Sequence, residues 1–166
     1  MMDEGGQIVA ALELGALSHV AMAVRSIEEA TSRLAALGFG PWTQTWDVEV
    51  PASHRGADAT MGLRATFASA SPIALELVEA TNDDSPIAEF LHKHDEGVQH
   101  FGYQVEDIDA LLARAEALGL AIDWLVKDDH GTAVAFLAPA AFCGVSIELV
   151  RKTPPVSLDA WSRRDA

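Results

Sequence analysis

Apolar positions along the chain fall into short runs with two different periods. "ALSHVAMAV" (16–24) is apolar over the length of a strand. In "SIEEATSRLAALGFG" (26–40), Ile27, Ala30, Leu34 and Leu37 recur at helical spacing. Ser26 with Glu29 three residues later forms a capping box, and Gly38 supplies the stop. "PWTQTWDVEV" (41–50) alternates as a strand does, "PASHRGAD" (51–58) reads as a loop, and "LRATFASA" (63–70) and "PIALELVEA" (72–80) read as strands. "TNDDSPIAEFLHKH" (81–94) reads as a turn and a short helix, capped by Asp84 or Ser85 with Pro86 in its first turn.

The pattern then starts again. "GVQHFGYQV" (97–105) is a strand and "EDIDALLARAEALGL" (106–120) a helix. "AIDWLVKD" (121–128), "TAVAFLAP" (132–139) and "CGVSIELV" (143–150) complete a second set of strands. Residues 17–39 superpose on 98–120 at a constant offset of 81: His19 on His100, Val24 on Val105, Ile27 on Ile108, Arg33 on Arg114 and Gly38 on Gly119. Each copy ends in a strand containing "ELV", with Glu76 57 residues after His19 and Glu148 48 residues after His100. The predicted fold class is α+β: two βαβββ modules forming one open, strongly curved mixed sheet. Residues 1–14 are expected to be a flexible arm. Residues 15–152 form one domain: module one at 15–80, a linker helix at 81–96 and module two at 97–152. Residues 153–166 are a Pro-containing tail.

Composition narrows the function classes. The chain has 166 residues, 49% hydrophobic and 22% charged, an ordinary globular balance. Its one cysteine, Cys143, excludes an internal disulfide and a multi-cysteine zinc site, and Cys143 reads as a small apolar residue. A net charge of −14 with no Lys/Arg cluster argues against a nucleic-acid partner. The start of the chain is acidic where a secretory leader would be basic, and no apolar run approaches the ~20 residues of a membrane span. The expectation is a cytoplasmic protein with no membrane partner.

The repeat also carries the candidate chemistry. A lone His on a strand is ordinarily a packed residue, and a Glu between leucines ordinarily faces solvent. Here a His on the first strand and a Glu on the last occur in both copies. If the modules pack about a local two-fold, His19, Glu76, His100 and Glu148 converge on a divalent metal site. Other residues carry weaker signals. Arg55 in "HRG" could hold an anionic substrate group, and "HKH" (92–94) could bind metal but suits a solvated helix end. Trp42, Trp46, Phe67, Phe101, Tyr103 and Trp124 are core aromatics or the walls of a groove.

At "HVAMAV", "ELVEATNDDSPIAEFL", "EGVQHFGYQVEDIDA", "HGTAVAFLAP" and "GVSIELV" the chain resembles the vicinal oxygen chelate superfamily over about residues 16–151. That superfamily includes glyoxalase I, extradiol dioxygenases and bleomycin-resistance proteins; the nearest resemblance is to methylmalonyl-CoA epimerases. The resemblance implies metal ligation by His19, Glu76, His100 and Glu148, with Co, Mn, Ni, Zn or Fe as the divalent ion. It implies a small-molecule carbonyl substrate touched by His130, with Trp42 and Arg55 as further substrate-binding candidates, and a homodimer. A further catalytic carboxylate is expected of the epimerases, for which Asp47 and Glu49 are the nearest residues.

The implied activity is that of a metal-dependent isomerase or epimerase. It abstracts a proton α to a carbonyl through a metal-stabilised enolate, with Glu76 and Glu148 as the catalytic acid and base. Two alternatives stand beside it. An Fe(II) extradiol-type dioxygenase would use His19, His100 and Glu148 with Glu76 turned away. A metal-free drug-binding protein would use the aromatic groove alone.

Overall fold

The computed structural model describes residues 12–152 apart from residue 71. Module one comprises β1 (Leu17–Ala23), α1 (Ile27–Ala35), β2 (Trp46–His54), β3 (Ala57–Ala70) and β4 (Ile73–Ala80). The connecting helix is α2 (Pro86–Lys93). Module two comprises β5 (Gly97–Val105), α3 (Ile108–Ala117), β6 (Ile122–Asp128), β7 (Gly131–Leu137) and β8 (Ser146–Arg151). The two βαβββ modules and their mixed sheet are as expected. The caps follow the sequence as well: Ser26 accepts from the Glu29 N–H, Ser85 from Ala88, and Asp107 from Ala110.

The sheet is closed, where an open one was expected. Its hydrogen-bonded order runs β1-β4-β3-β2-β6-β7-β8-β5 and returns to β1. Both seams between the modules, β1 with β5 and β2 with β6, join repeat-equivalent strands in antiparallel pairing. The second seam exists because residues 51–58 are not a loop. β2 continues to His54, and Arg55 and Gly56 form a tight turn with φ of 50° and 85°. That positive-φ pair is what a two-residue hairpin turn requires. Pro51 suggested a break, but it sits in the ladder opposite Thr60. The extended β2 then reaches β6 through Ala52, Ser53 and His54.

The helices cover the outside of the sheet. α1 packs Ile27 and Ala30 against Val24 and Leu77, and α3 packs Ile108, Leu111, Leu112 and Ala115 against Val105, Ile147 and Leu149. Leu12 belongs to the second cluster at 1% exposure, and Leu14 packs against the same group. The end of the expected flexible arm is therefore docked against the cluster that α3 shares with β5, β7 and β8. The rest of that arm and the tail 153–166 lie outside the described residues. Among the described residues no helix is long and apolar enough to cross a membrane.

Leu12→Ala should cost about 2–4 kcal/mol of stability, measured by denaturant unfolding, as for other fully buried leucines. A change within error of zero would show that the docking contributes nothing.

Candidate metal centre

The four donor residues sit on four adjacent strands, in the order β4, β1, β5, β8. Strand register arranges them in two rows. In one, Ala74, His19, Gly102 and Glu148 are level across the sheet; in the other, Glu76, Ala21, His100 and Ser146. Residues two apart on a strand share a face, so both rows point to the same side. Repeat equivalence exchanges the rows, with an offset of 81 between the first strands and 72 between the last, and the pair Val20–Phe101 marks the local two-fold axis. Each row places a small residue between its carboxylate and its imidazole. At Gly102 the reason is visible: an added Cβ would lie 1.9–2.5 Å from atoms of the His19 ring.

The donor atoms meet above these small residues. His19 Nε2 lies 3.2 Å from His100 Nε2, 3.4 Å from Glu76 Oε2 and 3.0 Å from Glu148 Oε2. His100 Nε2 lies 3.2 Å from Glu76 Oε2 and 3.5 Å from Glu148 Oε2. Donors about 2.1 Å from a common centre stand about 3.0 Å apart at right angles and about 3.4 Å apart at tetrahedral angles. His19, His100 and Glu148 bring ligand atoms within 4.8 Å of one another, a spacing that suits donors of one first-row divalent ion, while Glu76 Oε2 stands beside both imidazole nitrogens but outside that group.

Neighbours fix the rings. Gln99 turns its amide nitrogen toward Ser146 Oγ at 3.5 Å and its oxygen toward His100 Nδ1 at 2.5 Å. An amide oxygen only accepts, so Nδ1 donates and Nε2 is left for the centre. His19 Nδ1 contacts Ser18 Oγ at 3.0 Å. Phe67 meets the His19 ring edge-on at 5.6 Å, and Phe136 meets His100 in the same way at 5.3 Å. These phenylalanines are also level with the carboxylates, Phe67 with Glu76 and Phe136 with Glu148.

The electrostatics follow from burial and proximity. Burial opposes a charge on His100, but Glu148 and Glu76 outweigh it and push its pKa up to about 9. His19 is also raised: burial opposes the charge and His100 repels it, but the hydrogen bond to Glu148 and the two carboxylate charges prevail. Burial works to raise Glu148, yet the two histidines hold it well below the usual carboxylate range. Without an ion, protons on the imidazoles thus do part of what a cation would do.

A cavity of about 430 Å³ opens above the donors. Its walls include Trp46, Val48, Met61, Leu63 and Phe67 from module one and Val134, Phe136 and Val150 from module two. Trp46 and Phe67 stack at 5.4 Å with 14° between their planes. Among the described residues, the titratable groups lining it are His19, Glu76, His100 and Glu148.

Residues 18–136 match the family model of the glyoxalase/bleomycin resistance protein/dioxygenase superfamily. The chain belongs to this superfamily. It is 32% identical over 140 residues to an ethylmalonyl-CoA/methylmalonyl-CoA epimerase of Cereibacter sphaeroides, covering 82% of this chain and 97% of the relative. It is 30% identical over 150 residues to the mitochondrial methylmalonyl-CoA epimerase of Dictyostelium discoideum, covering 89% and 84%. The solved methylmalonyl-CoA epimerase of Mycobacterium tuberculosis superposes with a TM-score of 0.61 at 24% identity, over 83% of this chain and 88% of that one, a likeness of fold.

Other expected site residues of this superfamily member lie elsewhere. Trp42 packs under α1 beside Leu77. His130 is exposed in the β6–β7 turn and does not line the cavity. Arg55 caps the far hairpin, bound to Asp123 at 2.5 Å and Glu89 at 2.8 Å. Asp47 and Glu49 are exposed on the outer face of β2, since strand alternation turns Trp46 and Val48 inward. Of the six candidate groove aromatics, Trp46 and Phe67 line the cavity; Phe101 and Tyr103 pack toward α3, and Trp124 stacks on His54. Cys143 is exposed at positive φ rather than packed. His92 and His94 do not converge: one approaches Asp83 and the other packs on Phe90. A second group, His54, Glu89 and Asp123, has donor atoms within 4.8 Å of one another, but the Arg55 guanidinium already binds both carboxylates. Phe136 and the orienting role of Gln99 went unnoticed in the sequence. Phe136 precedes Glu148 much as Phe67 precedes Glu76, a further element of the repeat.

Gln99→Leu should weaken divalent-metal affinity by about 10–100-fold, read by chelator competition; unchanged affinity would remove its orienting role. Metal binding should also follow pH. The raised His100 stabilises the metal-free fold fully below its ordinary 6.5 and loses that contribution as pH rises through about 9. The depressed Glu148 contributes above its ordinary 4.5 and less as pH falls. Between about pH 6 and about pH 9 the metal-free protein should lose stability while stabilisation by added metal grows. Parallel unfolding curves with and without metal at both pH values check this.

Proposed function

We propose that the chain is an epimerase- or isomerase-type enzyme that moves a proton on the carbon beside a substrate carbonyl, at a divalent metal held by His19, Glu76, His100 and Glu148. The observation that carries this reading is the convergence of His19, His100 and Glu148, with Glu76 Oε2 3.4 Å and 3.2 Å from the two imidazole nitrogens, at the base of a mainly apolar cavity. The relatives named as epimerases support the reaction type. When bound, the ion supplies Lewis-acid polarisation of the carbonyl.

The chain's own residues handle the proton. Among the described residues no further Asp, Glu, Lys, Tyr or Cys lines the cavity, and we assign removal and return of the proton to Glu76 and Glu148. They come from repeat-equivalent strands on either side of the two-fold axis, which suits addressing opposite faces of a planar carbon. Apolar walls and the edge-on phenylalanines flank the site. The dioxygenase reading needs Glu76 to stand aside, yet its Oε2 is 3.4 Å and 3.2 Å from the two imidazole nitrogens. A metal-free groove binder has no use for four convergent donors.

The test is hydrogen exchange at C2 of the N-acetylcysteamine thioester of methylmalonate in D₂O, followed by NMR. Metal-loaded protein should catalyse exchange, and Glu76→Gln and Glu148→Gln should each slow it by about 10²–10⁴-fold. Exchange indifferent to metal and to both substitutions would refute the reading.

A further inference from the structure

The cavity walls are not symmetric. Module one contributes alternate residues of β2 and β3, from Trp46 and Val48 through Met61, Leu63 and Phe67, whereas β6, the counterpart of β2, contributes none. β3 has 14 residues and its counterpart β7 only 7. The long hairpin thus raises an apolar wall on one side of the donors. The cavity it encloses, about 430 Å³, falls in the range of sites that engulf a whole small molecule.

The charges are equally one-sided. No Lys or Arg among the described residues lines the cavity. Arg64 lies on β3 between two wall residues but faces outward, held by Glu28, Asp47 and Glu79. Arg25, Arg33, Arg55, Lys93, Arg114, Arg151 and Lys152 are likewise each paired with a carboxylate; the remaining described cation, Lys127, is exposed on β6, which lines none of the cavity. A coenzyme A thioester brings a 3′-phosphate and a diphosphate, which need cationic partners, to a chain of net charge −14.

We propose that this site takes a carbonyl compound with a bulky, uncharged apolar body, of aryl or branched-alkyl type, and not a nucleotide-bearing thioester. The inference rests on the metal-centred reading above: two oxygens of the substrate face the donors while the apolar body lies along Trp46, Val48, Met61, Leu63 and Phe67. The substrate class then differs from the one in the names of the epimerase relatives.

Calorimetric titration of the Co²⁺-loaded protein with benzohydroxamate, acetohydroxamate and coenzyme A tests this. The two hydroxamates share a chelating head and differ in their apolar bodies. Benzohydroxamate should bind about 10–100-fold more tightly than acetohydroxamate, from the added apolar burial. Coenzyme A at about 1 mM should not displace it. Trp46→Ala should shrink the preference while leaving metal content unchanged. Equal binding of the two hydroxamates, or salt-sensitive displacement by coenzyme A, would overturn the inference. The same titrations on metal-free protein separate the two readings: hydroxamate binding that ignores metal counts against the metal centre, while the size preference and the response to coenzyme A still decide this proposal.

Discussion

Four polar groups, two imidazoles and two carboxylates, are gathered where the chain gives them almost no water. His19, His100 and Glu76 are each below 10% exposed, and Glu148 is only partly exposed. Such a cluster is costly unless its charges cancel. Two neutral imidazoles, two carboxylates and a divalent cation sum to zero, and protonated histidines approach the same balance. The rest of the barrel serves this requirement. Small residues beneath the rings give them space, Gln99 sets one tautomer, and Phe67 and Phe136 close the sides.

The closed sheet makes the convergence rigid. Placing two donors per module on first and last strands would achieve nothing if the modules could slide. The β1–β5 pairing fixes that register directly, since His19 opposite Gly102 and Ala21 opposite His100 are one arrangement seen from both halves. A slip of one residue would turn both histidines to the other face of the sheet. The short second seam at β2–β6 keeps the far side of the barrel from opening.

Much of this was legible in the sequence because duplication writes each constraint twice. His19 with His100 and Glu76 with Glu148 stand out as pairs although neither member alone would. The helices were equally plain from their caps and 3.6-residue period. What escaped detection depends on strand register. Whether Asp47 or Trp46 faces inward is settled by pairing partners, and a one-residue difference inverts the answer. Pro51 hid the continuation of β2, and so hid the second seam and the closure. His130, Arg55 and Trp42 carried suggestive chemistry, but their places are set by turns and by the outer helix layer, about which residue type says little.

The unequal hairpins have an evolutionary corollary. The strands that hold the donors and most of the strands that shape the apolar wall are separate pieces of chain, joined through backbone ladders and through contacts such as that of Phe67 with His19. β3 is twice the length of its counterpart β7, yet the four donor residues keep repeat-related places on β1, β4, β5 and β8. A gene duplication of this kind therefore frees one half to drift toward new ligands while both halves keep the shared ion-binding geometry, so an old chemistry can be re-aimed by editing a single hairpin.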